Sequence, residues 1–492
     1  MLSSGTALAA DTFKKLSRAV VPVLMLVAWP ARGAEVTRVV GAMDGDRGFD
    51  FQLTATWVHD VKTAFVKREL QTSQYGSEVI KDLKFAQTRD ILNLRADVGV
   101  LWDVGLHIDM PLVLSDVSSL DFDRSEKSNC VYPEQVLPGQ RPSCVDPTNS
   151  TIVRDGILPS SVDPASGRIT SWGQDAQHNR QFTRAADEVP GPPGAFLGPQ
   201  RKGFQYLGVG ITWAAFNQRR DDTKPTWTLS FDALLDVFKA RRFDPVNPGA
   251  NTAVGQGYHQ FVWSTFVSKR FRWFEPYFGA WYNLPVRTNG SPFQKYSDTQ
   301  TSVNPQQRGG VMIGVEQIAW ENPRGDQRVT IEARAFVEEH FYGRERSEIW
   351  EPLAGPSTCT TNTPTDCRPG IDLEYRKDNQ NNPLINAPHP GITDIDNYAT
   401  LGGDVGLNVQ VGKYVRFRGL FGFRSDLPHF ITADAAGIDA NGDNRVSPMP
   451  LTSMDPVEAN PTYREAIDLP GRRFRVEGTK IWNLFLQGSM MF

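Results

Sequence analysis

Short and long connections alternate along this chain between segments in which apolar residues recur at every second position, a pattern that few folds produce. In Ile91 to Trp102, Leu92, Leu94, Ala96, Val98, Val100 and Trp102 share one face, and Asn93, Arg95, Asp97 and Gly99 share the other. The next segment sets Leu106, Ile108, Met110, Leu112 and Leu114 against His107, Asp109 and Pro111, with a tight turn at Asp103 between the two. Further strands are expected over Phe49–His59, Gln205–Phe216, Thr226–Leu234, Tyr258–Lys269, Pro276–Leu284, Gly310–Gln317, Val329–Val337, Tyr398–Val411, Tyr414–Phe423 and Arg473–Phe492. That makes about twelve, an even number, which a closed up-and-down barrel requires. Connections near Asp103, Asn217–Pro225, Phe271–Glu275, Glu321–Gln327 and Gly412–Lys413 are short. Those over Val61–Gln87, Asp116–Gly203, Asp236–Gly257, Val286–Arg308, Gly343–Asn397 and Arg424–Arg472 are long. A soluble sandwich has no reason to sort its loops this way. A transmembrane antiparallel β-barrel does, with short turns at one end and long loops at the other.

Composition agrees. A mean hydropathy of -0.38 excludes a bundle of membrane helices, whereas 12 Trp, 12 Tyr and 28 Phe in 492 residues suit two aromatic girdles. The net charge of -4 supplies no clustered basic face, so nucleic acid is not an expected partner. Lys14, Lys15 and Arg18, the apolar run Ala19 to Trp29 and the small residues around Gly33 and Ala34 form the three parts of a secretory signal. The run is too short for a spanning helix, which needs about 20 residues. The expected organisation is a signal peptide over 1–34, a periplasmic segment over 35–47 and a barrel over 48–492, with its largest loops over 116–203, 343–397 and 424–472.

Counting back from Phe492, Met490, Gly488, Leu486, Leu484 and Trp482 alternate with Ser489, Gln487 and Asn483. This resembles the C-terminal signature of Gram-negative, porin-like outer-membrane β-barrels. The resemblance implies an outer-membrane location, contact with its lipid, and recognition of the last strand by the barrel-assembly machinery.

Cys130, Cys144, Cys359 and Cys367 fall in two local pairs inside long loops, so Cys130–Cys144 and Cys359–Cys367 disulfides are expected in an oxidising compartment. With lipid-facing residues fixed, the other parity gives the lumen: Asp50, Arg95, Asp97, His107, Asp109, Asp232, Glu316, Glu332, Arg334, Asp404, Arg416, Arg418, Arg475 and Glu477. These charges either pair across strands and brace the wall or form a selective constriction. A turn centred on Asp103 sets Asp97 opposite Asp109, with Arg95 one pleat away.

In the last long loop, Asp439, Asn441 and Asp443 resemble the opening of an EF-hand-type calcium loop, although Asn444 stands at the glycine position and Pro450 at the place of the closing Glu. Asp, Asn and Gly also build ordinary turns, so a Ca2+ site and a solvated turn are both open; no other cofactor is expected. A phospholipase of this architecture needs a Ser/His pair at the rim. His59 and His259 have no serine at matching height, and His340 with Glu338 only imitates a protease dyad. The expectation is a non-enzyme: a channel for small solutes, with a non-conducting structural or surface-interaction barrel as the alternative.

Overall fold

A computed structural model describes residues 34–40, 50–72, 76–101, 103–123, 173–174, 180–181, 196–242, 251–296, 298–354, 390–446 and 458–492. Twelve long strands form one closed antiparallel sheet. In chain order they are β1 (Phe51–Thr72), β2 (Gly76–Leu101), β3 (Val104–Phe122), β4 (Leu207–Phe216), β5 (Thr226–Leu235), β6 (Tyr258–Ser268), β7 (Phe274–Arg287), β8 (Arg308–Asn322), β9 (Gln327–His340), β10 (Tyr398–Val411), β11 (Val415–Asp426) and β12 (Phe474–Met491). Each pairs with its neighbours in sequence, and β12 returns to β1 through the register Gln52↔Met491 to Arg68↔Phe474. At that seam the amide of Phe492 donates to the Phe51 carbonyl at 2.8 Å, and the two rings lie 6.1 Å apart.

The wall has inverted polarity relative to a soluble sheet. Gln52, Thr54 and Thr56 of β1 are buried while Leu53 between them is exposed. Ile108, Val209, Ile331 and Val405 are likewise exposed, and Ile313 reaches 62%. Such a belt around a whole barrel is stable only in hydrocarbon, where closure also leaves no strand edge unpaired. Phe216, Trp273, Trp320, Tyr414 and Phe492 ring the short-turn end, and Phe341, Phe423 and Trp482 lie nearer the loops. The fold is an integral outer-membrane β-barrel, with the short turns at the periplasmic end.

A strand needs only about 9–11 residues to cross, but β1, β2, β3 and β12 have 22, 26, 19 and 18. These four are contiguous in the sheet and stand above the membrane as one wall. The span Val61–Gln87, expected as a loop, is therefore mostly a tall hairpin paired down to Thr72↔Gly76. Its pattern was hidden because the phase inverts outside lipid. There the inward residues Ala64, Val66, Leu83 and Phe85 are the apolar ones. The segment 116–122, also expected as loop, continues β3, and Arg424–Asp426 continues β11.

Against this wall, to which β3 contributes Leu120 and Phe122 and β12 Phe474 and Val476, pack Phe196, Ile349, Leu353, Ile395, Ile431 and Ile467. The result is a small soluble-type core inside the outer mouth, a cap built from three loops. Burying each Leu, Ile or Phe contributes ~1.5–3 kcal/mol, so the cap is a folded unit. Gly343–Glu345 pairs with Thr393–Ile395 within it, and a single helical turn, Trp350–Leu353, is buried throughout.

Candidate functional site: a charged lumen between a cap and an N-terminal strap

The lumen wall is polar because every second residue faces it, and those charges are largely paired. Arg418 donates to both oxygens of Glu332 at 2.7 Å, Tyr277 Oη donates to Glu332 at 2.8 Å, and Asn408 donates at 3.2 Å. Beside them Arg334 Nε donates to Asp404 Oδ2 at 2.6 Å. Across the lumen His107 Nε2 and Asp232 Oδ1 are 2.5 Å apart, directly over Gly210, where a Cβ would overlap both side chains. Glycine serves a second purpose on the facing strands. Phe266, Tyr277, Trp281 and Phe336 lie against Gly279, Gly314, Gly310 and Gly402, their partners on the next strand. The rings thus lie along the wall instead of across the lumen.

The proposed Asp97–Asp109 pairing is corrected by the register. Arg95 faces Asp109, and Asp97 faces His107. The turn is centred one residue earlier, with an irregularity between Gly99 and Leu101. Arg95 pairs along its own strand, its Nη2 2.7 Å from Asp97 Oδ1. Asp50 is buried at the foot of β1, where its carbonyl accepts from the Gly99 amide at 2.7 Å.

Glu477 and Arg475 do not belong to the lumen. Gly478, at φ +61, forms a bulge that advances β12 by one extra residue between Lys480↔Thr63 and Glu477↔Phe65. Beyond it the parity flips: Val476 and Phe474 turn inward to the cap core, and Glu477 pairs with Lys67 and Arg475 on the outer face.

Residues 34–40, the last residue of the expected signal peptide and the start of the expected periplasmic segment, lie inside the inner mouth. Glu35–Thr37 is one 3-10 turn. The Glu35 amide donates to Glu316 Oε1 at 2.7 Å, Glu35 itself meets Arg416 Nη1 at 3.2 Å, and Arg38 donates to Gln52 Oε1 at 2.7 Å. Val39 and Val40 come against Gly105 on the opposite wall. The segment is a strap across the mouth. It borders a cleft lined by Arg38, Arg219, Arg328, Arg416 and Arg418, with Arg328 3.3 Å from buried Glu316.

At the outer end a polar seam runs beside the cap core, lined by Lys62, Gln87, Asp116, Arg241, Glu348 and Glu351 among others. Arg241 and Asp116 are 2.7 Å apart, Lys62 and Glu348 2.9 Å, and Arg201 and Glu351 2.7 Å. Sequence reasoning does not reach this seam, nor Glu275 in the expected turn Phe271–Glu275, although its inward parity two residues before Tyr277 is an available signal for Glu275.

His340 is buried, 3.2 Å from Glu338, and its ring stacks on Tyr398 at 4.2 Å, with His429 on the other face of Tyr398 at 3.7 Å. That ring is committed to packing. His59 pairs with Asp90 at 2.8 Å, and His259 Nδ1 accepts from the Asp236 amide at 3.0 Å.

Asp439 and Asp443 converge with Glu458, their carboxylate oxygens within 4.8 Å of one another. Asn441 lies on the same turn. Its Oδ1 accepts from the Asp443 amide at 2.8 Å, while Asp439 accepts from the amides of Gly442 and Asn444. These oxygens already close a turn, and each carboxylate retains lone pairs for a cation. Cys130, Cys144, Cys359 and Cys367 lie outside the described residues.

No protein-family model matches the chain, and no curated protein does. Solved structures similar to it include the COG4313 outer membrane channel from Pseudomonas putida F1, at 10% identity over 89% of this chain and 95% of that one, with a TM-score of 0.35. A Pseudomonas aeruginosa FadL homologue is similar at 7% identity over 92% and 91%, TM-score 0.27. The outer membrane protease OmpT from Escherichia coli is similar at 7% over 90% and 96%, TM-score 0.24. The architecture described above rests on this chain's own strand register.

Proposed function

We propose that the protein is a narrow outer-membrane channel for small polar solutes, entered through the seam beside the cap and left through the arginine-lined cleft beside the strap. The observation that supports this reading is that charged residues occur at each level of the interior. Lys62, Asp116 and Arg241 line the outer seam, Arg95, Asp109 and His107 hold inward positions on the wall below it, and Arg328 and Arg416 line the inner cleft. A wall meant only to be filled would turn its inward rings toward the centre, whereas here they lie over glycines. Charges of both signs favour small polar or ionic solutes over apolar ones. The last strand serves the barrel-assembly machinery and the belt serves lipid.

One observation favours a different reading, a non-conducting barrel whose cap contacts the cell surroundings: the apolar core in the outer mouth. Planar-bilayer recording of purified protein separates the two. Discrete conductance steps that grow when the cap residues 427–446 are trimmed support the channel. Silence of the intact and trimmed proteins supports the structural barrel.

A further inference from the structure

Glu275 is 1% exposed. Its Oε1 accepts from Ser268 Oγ at 2.7 Å and from the Ala34 nitrogen at 2.5 Å, and its Oε2 is buried with no hydrogen-bond partner. Among the described residues no lysine or arginine comes within ion-pair distance of it. On the next strand Glu316, wholly buried, accepts from the Glu35 amide at 2.7 Å. Both carboxylates are met at 34–35 by the backbone, whose ordinary amides offer each a single proton and no charge; Glu316 has Arg328 at 3.3 Å, whereas Glu275 has no such partner. A buried carboxylate left so is unfavourable unless a cation meets it.

The sequence supplies one. Ala31-Arg32-Gly33 places small residues three and one before the Gly33–Ala34 bond, the pattern a leader-processing peptidase reads. Hydrolysis of that bond consumes one water, leaves a carboxylate on Gly33 and frees the Ala34 nitrogen as an α-ammonium with three protons. One proton suits Glu275 Oε1, where the nitrogen already sits, and another is available to the unpartnered Oε2. Ala34 itself is fully buried, and Thr37 Oγ1 meets Ser268 Oγ at 2.8 Å, which fixes the strap's approach.

We propose that Glu275, backed by Ser268, forms a primary-ammonium site whose ligand is the chain's own processed N-terminus at Ala34, and that this ion pair, with Glu316 holding the Glu35 amide beside it, seats the strap across the inner mouth. Unprocessed chain offers only a neutral amide there, so removal of the leader and seating of the strap are one event. The site does not depend on whether the lumen conducts.

The test uses protein purified from outer membranes. Intact mass and N-terminal sequencing should give Ala34 as the first residue; another start would overturn the proposal. The α-amine is then acylated with an amine-reactive ester from pH 6 to 10 and the N-terminal peptide quantified. A free α-amine titrates near pH ~7.7–8.0. In urea-unfolded protein labelling should follow that curve, and in folded protein it should be at least about tenfold slower at pH 8, its midpoint moved up by about one unit or more. Glu275→Gln, with folding verified by heat-modifiable mobility, should return most of that reactivity. If Glu275→Gln does not fold, the wild-type comparison alone decides. Equal labelling of folded and unfolded wild type overturns the proposal, as does a folded Glu275→Gln variant that stays fully protected.

Discussion

Arg418 on β11 reaches past β10 to hold Glu332 on β9, its Nη2 2.7 Å from each carboxylate oxygen. Glu332 is wholly buried, so this guanidinium is what makes its charge tolerable. The expected result of Arg418→Ala is a loss of about 3–5 kcal/mol in urea unfolding of the folded barrel, because the carboxylate would remain without its main partner. Replacing both, as Glu332→Gln with Arg418→Met, should cost less than the single change. A single variant as stable as wild type would show that Tyr277 and Asn408 suffice.

The His107–Asp232 contact exists because Gly210 lets the two side chains meet across β4. Gly210→Ala places a methyl where both atoms lie, and overpacking of this kind costs ~1–3 kcal/mol. The Ala variant should unfold at lower urea than wild type, and His107→Gln in the same background should recover part of the loss. An unchanged midpoint for Gly210→Ala would mean that the pair is not held there.

The cap carries a pH dependence. Asp394 takes a bond from Tyr342 Oη at 2.7 Å, and its amide donates to Asp434 Oδ1 at 2.6 Å. Burial, and then the neighbouring Asp434 carboxylate, push Asp394 up to about 8. Asp468 is raised too, first by burial and then by the same neighbour. In the unfolded cap these groups titrate near ~3.9, so between about pH 4 and 8 the folded cap binds more protons than the unfolded one. Its stability is full below that window and is lost as pH rises through about 8. Proteolysis of the cap should therefore be faster at pH 8.5 than at pH 5.5, and Asp394→Asn should flatten the difference. A wild-type cap that tightens with rising pH would contradict the sign.

The pairs Cys130–Cys144 and Cys359–Cys367 remain a proposal from spacing. Peptide mass spectrometry without reduction should recover those two links, and closing loops of this size should stabilise by roughly 3 kcal/mol in the chain-entropy model. A crossed pair would join two loops over the mouth.

How much of this was legible follows the solvent. All twelve strands could be read because lipid forces one face of each to be apolar, as in Leu92 to Trp102 and in Leu484 to Met490. The tall hairpin escaped because outside lipid the apolar residues Val66, Leu83 and Phe85 change sides. Glu477 was misplaced because parity counted from Phe492 carries no notice of a bulge, and Gly478 was its only mark. The Asp97 register failed for the same reason at Gly99–Leu101. The strap was invisible because Glu35 and Arg38 look like any polar residues after a leader. Their partners Glu316, Arg416 and Gln52 are distant in sequence.

Reversal potential across a salt gradient tests the central claim most directly, because it reads the sign of the charge that a passing ion meets. Asp97 and Asp109 line the wall beside Arg95, while the inner cleft is lined by Arg328, Arg416 and Arg418. If ions pass this lumen, the double change Asp97→Asn and Asp109→Asn should leave a conducting protein whose reversal potential moves toward that of an anion-selective pore, since the arginines then dominate the local field. A conducting double variant with the reversal potential of wild type would place the ion path elsewhere and contradict the account.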